Sequence, residues 1–158
     1  MRRTLTLVLA AGLLAGAMIA PADAKKKRKP PPPATFAETG SIAVGYPGDF
    51  FGEANVTRQT FLQSCAVPAS QGTDGYVITL PEEITAVPTE VSIYGGDATG
   101  VHDLDIFFFD DTCTSTGSLN TTAIDEFGPM PSGTKYVLVT AFFGVELTFD
   151  FKATETRS

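Results

Sequence analysis

Asp103 and Asp105 stand two positions apart, and Asp97 lies just upstream in the glycine-flanked turn GGDATG. Such acids could gather a hard divalent ion. Calcium takes six to eight oxygens from carboxylates, carbonyls and water. Residues two apart on a strand project from one face, so Asp103 and Asp105 reach the same place and Asp97 could approach them. Asp110 and Asp111 close the same stretch, DLDIFFFDDTC. They sit roughly 23 Å away at the rise of a strand, too far to serve the same ion. No twelve-residue calcium loop is present. Acids at strand ends also solvate a rim and discourage edge pairing, so a cation site and a wet rim are both open readings.

Other chemistries find less support. His102 is the only histidine, and its neighbour Asp103 would point to the opposite face of a strand. No G-x-S-x-G elbow occurs, and a zinc site built on His102 and two oxidised cysteines would lack ligands. No enzyme is expected. A carbohydrate-binding role usually uses exposed aromatic rings, and tryptophan is absent. Tyr46, Phe50 and Phe51, in YPGDFFGEAN, fall in a turn-rich segment. They form a candidate partner-binding patch, or else cap one end of the fold.

These residues need a frame and a compartment. Arg2 and Arg3 precede an apolar run from Leu5 to Ile19, followed by small residues at Ala22 and Ala24. This pattern predicts a secretory signal over 1–24. The run is shorter than the roughly 20 residues that span a bilayer, so no stable membrane insertion is expected. Residues 25–35, KKKRKPPPPAT, form a basic, proline-rich linker that favours extended polyproline geometry. Four basic against seventeen acidic residues leave a net charge of −13 over 36–158. A domain this acidic repels nucleic acid and anionic membranes. Cys65 and Cys113 are the two cysteines, and in an exported chain an even pair predicts a disulfide.

From Phe36 onward the pattern is that of strands. In VELTFDFK, Val145, Leu147, Phe149 and Phe151 alternate with Glu146, Thr148, Asp150 and Lys152, a half-buried strand with one wet face. KYVLVTAFF, from Lys135, is more continuously apolar and reads as a strand buried on both faces. Gly144 between them suggests an antiparallel hairpin. Further strands are expected near 40–46, 58–66, 75–80, 89–95, 103–109 and 121–127. In DLDIFFF, Leu104, Ile106 and Phe108 would face inward. Asp103, Asp105, Phe107 and Phe109 would face outward, beneath a covering loop. The strand carrying Cys65 would be tied to the turn at Cys113. About eight short strands separated by turn residues indicate an all-β, antiparallel sandwich.

Four segments in order carry a resemblance. Asp74-Gly-Tyr-Val-Ile-Thr-Leu-Pro81, Val101-His-Asp-Leu-Asp-Ile-Phe107, Pro131-Ser-Gly-Thr-Lys-Tyr-Val-Leu-Val139 and Val145 to Phe151 resemble strands and turns of the bacterial pre-peptidase C-terminal domain. That resemblance covers about residues 60 to 153 and implies a jelly-roll-like β-sandwich over 36–158. Members are accessory modules on secreted proteases and other exported enzymes, linked to secretion, to substrate or matrix binding and in some cases to calcium. This chain carries no protease domain before the module, and paired cysteines are not a general family feature. The expected function is a secreted, non-catalytic binding module for an extracellular protein or polysaccharide, such as a matrix or cell-wall polymer, with calcium as its one candidate cofactor. A small secreted hydrolase and a structural envelope protein are the alternatives.

Overall fold

A computed structural model describes residues 29–43, 56–69, 71–96, 103–121, 125–141 and 146–157. The chain divides into residues 1–31 and 32–158, and all described secondary structure lies in the second unit. Its strands are β1 (Thr35–Ile42), β2 (Gly75–Thr79), β3 (Thr89–Gly96), β4 (Leu104–Phe109), β5 (Ser115–Leu119), β6 (Glu126–Pro129), β7 (Tyr136–Ala141) and β8 (Leu147–Glu155). Helix α1 (Val56–Ser64) falls between β1 and β2, and the short α2 (Glu82–Thr85) between β2 and β3. No helix among the described residues is long and apolar enough to cross a membrane.

The strands form two four-stranded sheets, in the orders β1-β8-β3-β6 and β2-β7-β4-β5, with every pairing antiparallel. The pairs β1/β8, β2/β7, β3/β6 and β4/β5 are those of one long antiparallel ribbon folded at the β4–β5 turn. Rolling that ribbon adds the β3/β8 and β4/β7 contacts and closes two stacked sheets. This is the jelly-roll winding, and the all-β sandwich read from the sequence is observed.

Period-two patterning explains the core. Leu147, Phe149, Phe151 and Ala153 are buried on β8, while the residues between them face water. Leu104, Ile106 and Phe108 of β4 meet them from the other sheet. On β7, Val137, Leu138 and Val139 are consecutive and fully buried, because both faces of that strand are covered. Val137 and Val139 join the inter-sheet core, whereas Leu138 packs on the far side with Phe61, Val77 and Phe109. Each such side chain contributes roughly 1.5–3 kcal/mol through burial. Gly40 of β1 is required by close approach, since a Cβ there would run into the Phe149 ring. That ring in turn packs edge-on against Tyr76 at 5.4 Å. The Tyr76 hydroxyl donates to Glu38 Oε1 at 2.8 Å and so ties β2 to β1 across the two sheets. The PSGT turn before β7 places Gly133 at φ +83°, a left-handed position suited to glycine.

Four local expectations are corrected. Residues 58–66 are not a strand. Val56–Ser64 is helical, and Cys65 follows it. Among the side chains described on that helix, Thr57 and Phe61, one turn apart, are the fully buried ones. A threonine carries half of the buried stripe, so no apolar 3.6-residue period marks it. Second, β7 and β8 are not a hairpin, because they lie in different sheets, as the rolled ribbon demands. Third, the strand expected near 121–127 is observed only at its end, where Glu126 and Phe127 open β6; Thr121 lies in no strand, β5 ends before it at Leu119, and residues 122–124 lie outside the described residues. Fourth, the outward face of β4 is covered by α1, not by a loop. Phe61 meets Phe109 edge-on at 5.3 Å, and the Arg58 guanidinium lies 5.1 Å over the Phe107 ring.

Candidate functional site

Two regions carry groups beyond what folding alone asks for. The first is the acid cluster at the start of β4. Asp103 and Asp105 do come together, and Glu126 of β6 joins them, with carboxylate oxygens all within 4.8 Å of one another. Asp97, expected as the third member, lies outside the described residues, as do His102, Tyr46, Phe50 and Phe51. Glu126 is only 2% exposed and accepts from the Thr121 backbone N–H at 2.6 Å and hydroxyl at 2.8 Å. Asp103 Oδ1 is shut off from solvent. Burial first, then the charges of Asp103 and Glu126, push the Asp105 carboxyl up to about 6. Three clustered carboxylates relieve their repulsion with a proton or a cation. The set could supply three hard oxygens to calcium, with carbonyls and water completing the shell.

Asp105 binds its proton more tightly folded than unfolded, so this group favours the native state below about pH 4. Its contribution is lost as pH rises towards about 6. Asp105→Asn is therefore expected to raise the melting temperature at pH 7 and to make little difference at pH 4. Millimolar calcium at pH 7 should raise the wild-type melting point and not that of the variant if a cation fills the cluster. Scanning calorimetry at the two pH values, with and without calcium, checks both; equal melting points for the two proteins at pH 7 would contradict the raised carboxyl.

The acids at the far end of β4 have a different task. Asp110 Oδ1 accepts from the Thr112 N–H at 2.9 Å, the Thr112 hydroxyl at 2.8 Å and the Thr114 N–H at 2.9 Å. The Thr112 hydroxyl first, then the Thr114 N–H, hold its carboxyl below the ordinary value. Asp110 thus builds the β4–β5 turn, and Cys113 in that turn bridges to Cys65, with Cα atoms 5.5 Å apart. The disulfide pairing read from the sequence is present.

The second region is the outward face of the β1-β8-β3-β6 sheet, which sequence reasoning missed. Strand β6 is inverted. Its acid, Glu126, and Gly128 point inward, while Phe127 points outward and is 66% exposed. Tyr94, on the outward face of β3, is 56% exposed. Ser92 pairs with Phe127 across the strands, so Tyr94 is the diagonal neighbour of that ring, roughly 7–8 Å away between Cα atoms. The same row runs on through Lys152 to Ala37, and the next row is Tyr94, Asp150 and Thr39. Alternation in TEVSIYGG could have placed Tyr94 outside. For Phe127 the hydrophobic pattern points the wrong way, and only the sheet pairing reveals it. No protein-family model and no curated protein matches the chain.

Proposed function

We propose that this protein is a secreted, non-catalytic binding module that meets an extracellular partner through the outward face of its β1-β8-β3-β6 sheet. The observation that carries the reading is the inverted strand β6, which exposes Phe127 and buries Glu126. Turning a phenylalanine to water and an acid inward works against folding. Such departures from local preference concentrate at functional surfaces. Tyr94 on the adjacent strand gives the same face a second exposed ring. The apolar leader before Ala24, the disulfide and the resemblance to the pre-peptidase C-terminal domain support an extracellular setting.

The test is retention of the mature protein on insoluble wall and matrix material from the producing organism. Wild type should sediment with it. Tyr94→Ala combined with Phe127→Ala should reduce retention at least tenfold with an unchanged circular dichroism spectrum. Retention that survives the double change would move the binding surface elsewhere.

A further inference from the structure

We infer that the shallow groove along β8 on this face is a subsite for an uncharged polysaccharide, with Tyr94 as its stacking platform. The inference rests on the binding reading above and names its ligand. The groove holds about 260 Å³ and runs between Tyr94 on β3 and Ala37 and Thr39 on β1, over Asp150 and Lys152 of β8. Closed clefts for drug-sized ligands run from roughly 300 to 1,000 Å³, so this one suits a ring or two of a longer chain lying across the sheet.

Its chemistry is that of a polyol site. Tyr94 offers an exposed ring face, and Phe127 sits on the next strand one row along. Asp150 is flanked in register by Thr39 and Tyr94, and the Thr39 hydroxyl donates to Asp150 Oδ1 at 2.6 Å, which fixes the carboxylate. Lys152 is flanked by Ala37 and Ser92, and the small Ala37 leaves the groove open at that row. A sugar hydroxyl both donates and accepts. Asp150 supplies an acceptor and Lys152 donors.

Charge selects among polymers. Asp150 and Lys152 balance each other on the floor, and Glu38, which also lines the groove, turns its carboxylate to the Tyr76 hydroxyl of the other sheet, so the floor presents no single sign of charge to match an ionic ligand. The surrounding region, at −13, repels polyanions. A peptide that adds as a strand would need a sheet edge, whereas Tyr94 and Lys152 lie on a face crossed by paired strands. An uncharged polyhydroxyl chain is the occupant that fits both the rings and the balanced floor.

Titration calorimetry on the mature protein tests this. The probes are soluble mixed-linkage β-glucan, galactomannan and dextran, with polygalacturonate and gelatin as the anionic and protein counterparts. Binding is expected to at least one uncharged polysaccharide, unchanged in about 0.5 M salt, where exposed charge pairs are screened. Tyr94→Ala should weaken it at least tenfold, and Asp150→Asn several-fold, both with wild-type melting temperatures. Binding of gelatin or polygalacturonate alone, lost in Tyr94→Ala, would overturn the assignment to an uncharged polysaccharide and keep the face as a binding surface. No binding to any probe, with wall retention indifferent to Tyr94 and Phe127, would overturn both. A concentration-dependent dimer in light scattering, abolished by Tyr94→Ala, would make the face a self-association surface and also overturn the assignment.

Discussion

Replacing Cys65 and Cys113 together by serine is expected to lower the unfolding free energy by about 4 kcal/mol. The bridge closes a loop of 48 positions, and a cross-link of that length removes this much chain entropy from the unfolded state. For a domain of this size the melting temperature should fall by roughly 10–25 °C. The loop holds all of α2, β2, β3 and β4, so the bridge restrains the central part of the ribbon before it rolls. Cys65 and Cys113 are also the non-glycine residues with positive φ among those described, at 51° and 61°. The bridge thus pins two turns that a side chain adopts reluctantly. Thermal unfolding of the double-serine variant beside wild type measures the effect. A shift of less than about 1 kcal/mol would mean that the unfolded chain is already confined without the link.

Phe61→Ala is the second large effect, with an expected loss of about 3–5 kcal/mol. Phe61 is fully buried and is the apolar side chain that plants α1 on the β2-β7-β4-β5 sheet. Its ring sits edge-on to Phe109 and to Tyr136, each at 5.3 Å. Asp74 holds the other end of the helix, accepting from the Thr57 N–H at 2.9 Å. Leu62, one residue on, is 42% exposed, and its change to alanine should cost little. Cys65 lies a single turn beyond Phe61, whose carbonyl accepts its N–H at 2.7 Å, so ring and bridge anchor one helix end. The triple variant should therefore lose less than the sum of the two effects. Denaturant unfolding of the four proteins supplies that comparison, and strict additivity would contradict a shared anchor.

What the sequence revealed depended on whether polarity tracked burial. On β8, β4 and β7 it did, and the strands, their inward faces and the disulfide could be read directly. On α1 the buried stripe is one threonine and one phenylalanine, so periodicity had nothing to register. On β6 the relation is reversed, with Glu126 inside and Phe127 outside, and the strand was misplaced. The acid cluster was half legible for the same reason. Asp103 and Asp105 share a strand face by simple alternation, but Glu126 reaches them from a different sheet. The β7–β8 hairpin failed because local turn signals cannot tell a hairpin from a crossing between layers.

The most direct measurement is covalent footprinting of aromatic side chains on the protein, alone and mixed with wall material. Protection at Tyr94 and Phe127, with the buried Phe61 and Phe149 unchanged, is the predicted result. Protection confined to Tyr46, Phe50 and Phe51, with Tyr94 and Phe127 labelled equally in both states, would contradict it.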